Sequence, residues 1–450
     1  MKYSSRSVNK PKVSPSQIII LSFASIIFVG TLLLMLPWAT TNGHGLVPLD
    51  ALFVSTSATC VTGLTYIDLL NDLTMFGQII VMLLIQFGGL GLMTISTILL
   101  VMLGWKISLR NRMLVREALN QDMMGGVIRM AKNIGSYTLI VEGIGAVILA
   151  IRFSFDYGIS RGIYYGIFHS VSAFNNAGFD LMGKFQSLTG YVGDVTVNLT
   201  ICFLIILGGI GYTVVSGVYY WKEAGRLQLH VKVVLITTAW LIVGGTVLIL
   251  LMEMNNPATL GKLNWGAKLL AAFFQSVTPR TAGFNTIDLA AMHPASQFLL
   301  IVLMFIGASP NSTGGGVKTS TLATILATIR ASLRDYDEVQ LFHRTVPRWI
   351  VQKAISITFI ALGWVMVVVC LMTLVVPDSF LGILFEVFSA FGTVGLTMGT
   401  TFKLGIIGKL LIIVTMFFGR VGPLTFLLAF SKKSIKEGHI KFPEEKVIVG

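Results

Sequence analysis

Eight long, mostly apolar stretches fall at roughly 17–36, 76–103, 134–153, 195–221, 231–252, 296–331, 351–376 and 405–430. The hydrocarbon core of a bilayer takes about 20 such residues per helical crossing. Eight crossings leave little chain for a water-soluble domain. Only 12% of the 450 residues are charged and 54% are hydrophobic, a balance that a soluble globule of this length does not carry. The chain therefore reads as an all-α integral membrane protein with eight transmembrane helices. Its basic start, MKYSSRSVNKPKVSPSQ, runs into an apolar segment that ends near Trp38 without a small-residue cleavage site. This predicts an uncleaved first helix. Cys60, Cys202 and Cys370 are scattered and offer neither metal-ligand spacing nor a disulfide framework.

Most of the 33 basic residues lie in segments 1–16, 104–133, 222–232, 329–353 and 431–450. Connections rich in Lys and Arg stay in the cytoplasm, so both termini are expected inside a cell membrane. The net charge of +13 is then mainly a label of topology and does not point to nucleic acid. Segments 104–133 and 330–353 are candidates for seating a cytosolic partner or for meeting anionic membrane lipid.

The non-cytoplasmic connections repeat four times. Each contains a short apolar stretch: VPLDALFVSTSA (47–58), IYYGIFHSVSAF (163–174), WGAKLLAAFFQSV (265–277) and SFLGILFEVFSAF (379–391). None is long enough to cross, so they fit re-entrant half-helices. CVTGLT, NNAGFD, RTAGFN and GTVGLT follow, aligned on Gly63, Gly178, Gly283 and Gly395. The next span repeats as well: QFGGLG, ILGGIG, FIGASP and FFGRVG place Gly88, Gly208, Gly307 and Gly419 in register. The GGLG and GGIG runs lie inside apolar spans with no preceding strand, which favours close helix packing over a dinucleotide site.

The chain thus divides into pore units 1–103, 104–221, 222–331 and 332–430 and a cytoplasmic tail 431–450, each unit an outer helix, a re-entrant helix with loop, and an inner helix. Units of one orientation can surround an axis along the membrane normal. Irregular backbone at membrane depth must be buried in protein or line a wet cavity. Carbonyls turned toward such an axis can replace the hydration shell of a cation, and the backbone angles this needs suit glycine. The half-helices would aim their negative ends at the ion. The candidate cation-binding residues are Val61, Thr62 and Gly63; Asn176, Ala177 and Gly178; Thr281, Ala282 and Gly283; and Thr393, Val394 and Gly395.

The third inner span is interrupted by GASPNSTGGGVKTS (307–320). Pro310 removes a donor and three glycines in a row oppose helix, so a break is expected. Ser312, Thr313, Gly314, Gly315, Gly316 and Lys318 become candidate gate residues that obstruct the pathway; the alternative is a static kink. Val317 separates Gly316 from Lys318, so this is no phosphate-binding loop. Arg420 occupies the position held by Gly89, Gly209 and Ala308 in the other units. An intramembrane charge is expensive; it reads either as an electrostatic barrier below the filter or as an anchor to inner-helix carbonyls. Arg280 is placed behind the third loop, Asp180 and Asn285 near the outer mouth. Glu142, His169, Glu253 and Glu386 are expected to be paired or interfacial. No HExxH, GxSxG or paired intramembrane aspartates appear, so an enzyme is not expected.

The four-unit plan, with one filter glycine per unit, resembles the superfamily of potassium transporters that includes the Trk, Ktr and HKT proteins. The likeness runs from about Ile18 to Phe430. Trk-type members usually carry an extra N-terminal helix pair, so the chain looks most like the membrane subunit of a Ktr potassium uptake system. The resemblance implies potassium held at the twelve filter residues and uptake gated by an intramembrane loop. It also implies a homodimer seated on a separate cytosolic ring that binds the regulatory nucleotide. In the family, glycine at the position of Gly63 goes with potassium and serine with sodium. Only the fourth loop reads TVG and none reads TVGYG. Selectivity less strict than a potassium channel's is therefore implied, and a broader sodium/potassium channel is the alternative; sodium coupling stays open.

Overall fold

A computed structural model describes residues 15–91 and 127–430. The fold is almost wholly helical; among the described residues the one strand pair is a hairpin of β1 (Gln340–Leu341) and β2 (Arg344–Thr345). The described α-helices are α1 (Pro15–Leu34), α2 (Pro48–Thr59), α3 (Met75–Leu90), α4 (Val127–Tyr157), α5 (Ile159–Phe174), α6 (Val195–Gly209), α7 (Tyr212–Tyr219), α8 (Leu229–Glu253), α9 (Trp265–Val277), α10 (Pro294–Phe305), α11 (Thr319–Leu333), α12 (Arg348–Val375), α13 (Phe380–Gly392), α14 (Ile406–Val421) and α15 (Pro423–Phe430), with two four-residue α-helices and three short 3-10 helices besides.

Among the described residues four helices, α1, α4, α8 and α12, are long and apolar enough to cross a membrane unaided, and the bent pair α6–α7 makes a fifth candidate. They keep apolar side chains on their outer faces: Leu139, Ile144, Trp240 and Phe359 are all exposed. In water a belt of this size would be a liability; against lipid it is the expected surface. The short helices are the reverse. Every residue of α13 from Phe385 to Gly392 is buried, and the last turns of α2, α5 and α9 are buried too. Side-chain caps fix two of their starts, with Asn264 accepting from Ala267 at 2.8 Å and Ser379 from Gly382 at 3.1 Å.

Two inner spans correct the sequence reading, and the third has the break expected of it. Stretches 195–221, 296–331 and 405–430 are not continuous helices. The second breaks between α6 and α7 with a bend of 94°, the third opens into the long segment between α10 and α11, and the fourth breaks between α14 and α15. The first ends as a helix at Leu90; its remainder, like the basic segments 1–14, 104–126 and 431–450, lies outside the described residues. The cause is local. Gly91, Gly211 and Gly422 have φ of 77°, 90° and 91°, a conformation that ends a right-handed helix and that glycine adopts without strain. Pro423 then supplies a favourable first residue for α15.

Packing runs in a cycle. Each short helix lies against its own outer helix, as in α1 on α2 and α4 on α5. It also lies against the inner helix of the stretch before it: α3 on α5, α6 on α9, α10 on α13, and α14 back on α2. Two apolar clusters result, one joining Phe53 and Leu64 to Phe385, Phe391 and Phe418, the other gathering Phe153, Phe168, Phe179, Phe274 and Phe284.

Candidate functional site

All four short helices enter their glycine loops with the same backbone. Val61, Asn176, Thr281 and Thr393 have φ of 58°, 61°, 70° and 51°, and two residues later Gly63, Gly178, Gly283 and Gly395 have φ of 93°, 70°, 84° and 91°. Thr62, Ala177, Ala282 and Val394 lie between, outside the left-handed region and fully buried. The amides of Thr62, Ala177 and Val394 donate to the carbonyls of Ser57, Ser172 and Ser389 at 2.8, 2.7 and 2.8 Å; Ala282 donates to Thr278 at 2.9 Å.

The loops meet head to side. A Cβ built on Gly63 would come inside 3.0 Å of the Ala177 carbonyl oxygen; on Gly178 it would meet that of Ala282, on Gly283 that of Val394, and on Gly395 that of Thr62. The order of contacts closes on itself, so the four glycine loops form a ring in which each glycine abuts the middle-residue carbonyl oxygen of the next loop. Any side chain at a glycine would overlap its neighbour's backbone.

Further residues, not expected from the sequence, hold these loops. Ser57 and Ser389 accept the Gly63 and Gly395 amides on their hydroxyls, both at 3.1 Å. Ser172 and Thr278 instead donate to the carbonyls just after the glycine, Phe179 at 2.7 Å and Phe284 at 2.5 Å. The signal was present: Ser-Ala stands at the same distance before Gly63, Gly178 and Gly395. His169 and Glu386 also share a position relative to Gly178 and Gly395. His169 Nε2 accepts the Leu181 amide at 3.3 Å, and Glu386 accepts from the hydroxyls of Thr397 at 2.7 Å and Thr401 at 2.5 Å.

Next to the ring lies the segment between α10 and α11, stapled at its base by Gly307 N–H to Val317 O at 2.9 Å and Val317 N–H to Phe305 O at 3.3 Å. Its apex touches the first residue of three candidate loops. The Thr313 hydroxyl donates to Asn176 Oδ1 at 3.1 Å, and the Gly315 amide donates to Thr393 Oγ1 at 3.1 Å. Gly314 lies so close to Thr281 Oγ1 that a Cβ there would collide with it. Ser309 and Thr313 amides donate to Gly209 O at 3.0 Å and Gly208 O at 3.3 Å; Ser312 closes its own turn on Ser309 O at 2.6 Å. Lys318 Nζ reaches back to Gly314 O at 2.6 Å and Gly315 O at 3.2 Å.

Arg420 completes the layer. It donates to Thr313 O in the segment and to Gly88 O and Gly89 O at the end of α3, tying the interruption in one inner helix to another inner helix. The repeated glycines Gly88, Gly208 and Gly419 leave room for the carbonyls of Thr59, Phe174 and Phe391 in the last turns of α2, α5 and α13, whereas Gly307 faces Gly315 of the segment.

The other polar residues singled out in the sequence bond to neutral groups. Glu142 accepts from Asn175 at 2.9 Å and Gln86 at 3.3 Å. Glu253 accepts from Asn256 at 2.8 Å, Thr259 at 2.6 Å and the His293 amide at 2.8 Å. Arg280 Nη1 donates to Thr238 O at 3.4 Å on α8, while its own carbonyl accepts from Asn176 at 3.1 Å, which puts it behind the second and third loops. Asp180 and Asn285 turn inward on local amides and carbonyls beyond their glycines. What the arrangement offers chemically is a ring of closely packed loops with backbone oxygen at each contact, and among the described residues no acid–base pair lies beside it.

The family described as TrkH, cation transport protein, matches residues 4–438. The Ktr system potassium uptake protein B of Bacillus subtilis is 44% identical, covering 98% of this chain and 97% of that protein. The potassium/sodium uptake protein NtpJ of Enterococcus hirae is 40% identical, covering 98% of each. The crystal structure of the potassium transporter TrkH from Vibrio parahaemolyticus matches with a TM-score of 0.74 over 95% of this chain and 87% of that one; at 20% identity this is a likeness of fold. With the apolar helices and the ring already described, these matches make the chain a membrane protein and a transporter, not an enzyme, and it belongs to the TrkH family of cation transport proteins.

Proposed function

We propose that this chain takes up potassium across the cell membrane through a carbonyl-lined filter built from its four glycine loops. The observation that carries the reading is the closed cycle of contacts from Gly63 to Ala177, Gly178 to Ala282, Gly283 to Val394 and Gly395 to Thr62. In such a ring, peptide oxygens take the place of water around a dehydrated cation. Eight crossings, with the second, third and fourth inner spans broken beside the ring, form four pore units about a pseudo-fourfold axis. Both termini face the cytoplasm, and a membrane potential draws each ion inward with about 2.3 kcal/mol per 100 mV.

The segment 306–318 is the gate in this reading, with Arg420 as its latch. Barrier and anchor then become one role, since the guanidinium holds the segment under the filter by bonding to a neighbouring inner helix. Relatives named as parts of Ktr systems support a partner subunit. The resemblance favours a homodimer of pores on a cytosolic nucleotide-binding ring.

Growth on low potassium of a strain without its own uptake systems tests the proposal, with the candidate ring subunit coexpressed. The intact chain is expected to restore growth and Gly395→Asp to fail; failure of both would overturn the reading. A less selective sodium/potassium channel is the second reading, favoured by the relative named for both ions. Sodium that competes with potassium on equal terms for flux into liposomes would select it.

A further inference from the structure

Resting on the pore reading above, we propose that the apex carbonyls of segment 306–318 form a seat for a dehydrated monovalent cation of potassium's size, which the ammonium of Lys318 occupies as a tethered substitute. Three consecutive carbonyls, those of Thr313, Gly314 and Gly315, accept hydrogen bonds from cationic side chains: Arg420 on the first, and Lys318 on the other two at 2.6 and 3.2 Å. The apex amides point elsewhere, Thr313 to Gly208 O and Gly315 to Thr393 Oγ1. The segment thus turns several oxygens toward positive charge while its donors grip α6 and the fourth glycine loop.

Carbonyl dipoles gathered in this way are the chemistry that replaces an alkali ion's water. A lysine ammonium is a compact point charge with three donors, of the same valence as a dehydrated potassium ion and of similar size. The seat also adjoins the candidate filter, because Gly314 abuts Thr281 and Gly315 is bonded to Thr393. An ion leaving the filter meets these oxygens next.

Lys318 reaches back only along its own chain, so a simple brace is the rival explanation. The two differ in what can stand in for the side chain. A brace needs lysine's length and attachment, whereas a seat needs only a free cation of suitable size.

The test uses the full chain with Ser312→Cys as a reporter and Cys370→Ala to remove the exposed thiol; Cys60 and Cys202 are buried. Labelling by a small thiol reagent is followed in potassium, rubidium and choline salts. With Lys318 present, labelling is expected to be slow in every salt. In Lys318→Met it should stay slow in potassium or rubidium and become roughly tenfold faster in choline, the ratio for about 1.4 kcal/mol of lost closure. Lys318→Gln serves as a second neutral variant if the first does not fold. Equal labelling of the neutral variants in potassium and choline overturns the proposal. Thallous-ion influx into liposomes through the chain lacking 312–316 reports separately on the pore: its absence sinks the pore reading, while normal influx beside salt-independent labelling sinks the seat alone.

Discussion

Around the ring, Gly63, Gly178, Gly283 and Gly395 share one backbone conformation, and each abuts the next loop's middle carbonyl. One layer away, the four inner helices end at corresponding places and share little else. Two end at a single left-handed glycine, Gly91 and Gly211; the fourth adds the guanidinium of Arg420 two residues before Gly422; and the third opens into a stapled segment between Phe305 and Thr319. Coordination of a small ion needs ligands on every side, so divergence in the ring is costly. Obstruction of a single axial path needs only one occupant. Under the proposed function the second layer is free to specialise, with one unit supplying the obstacle and another its tether.

Substitutions that treat the two layers differently can break this contrast. The largest effect is expected from Gly395→Asp, where backbone strain of order 1–3 kcal/mol adds to overlap with the Thr62 carbonyl; initial rates of rubidium uptake should fall by about 100-fold or more. Removal of Ser312–Gly316 should act in the opposite direction, raising thallous influx into liposomes by roughly tenfold as the closed population is lost. A deletion that leaves influx unchanged would return the segment to the role of a static kink. Arg420→Ala comes next. Charge-assisted hydrogen bonds are each worth about 1.5–3 kcal/mol, so influx should rise several-fold while the yield of monodisperse protein is kept; a fall in yield without a rise in influx would make the residue purely structural. The smallest effect is that of Ser57→Ala, which frees the Gly63 amide at a cost of about 1 kcal/mol. It should lower uptake a few-fold and relax the preference for potassium over sodium in competition assays. Ser172→Ala, whose hydroxyl holds Phe179 O and not a glycine amide, should leave that preference nearer the parent's.

The ring was legible in the sequence because a left-handed backbone in four copies demands glycine at four aligned places, and a repeat is easier to read than a single turn. The segment at 306–318 was legible for a related reason: Pro310 and three successive glycines forbid helix. Breaks in the second and fourth inner spans were not. Gly88 and Gly91, Gly208 and Gly211, and Gly419 and Gly422 are paired at the same spacing, and within an apolar run both members suit close packing. The structure gives them different work, the first making room for a carbonyl and the second reversing φ. Nothing in local composition separates those roles, because what decides them is the carbonyl of Thr59, Phe174 or Phe391 arriving from a distant helix. The partners of Arg420 were hidden likewise, since Gly88 and Thr313 lie far from it along the chain.

Because a single polypeptide contributes all four quarters of the ring, a point mutation alters one quarter and leaves three as they were. An assembly of four identical subunits would change at every quarter together, passing from intact to ruined in one genetic step. Under the proposed function selectivity can be retuned by degrees, and Val61, Asn176, Thr281 and Thr393 already put three different residues at one structural address.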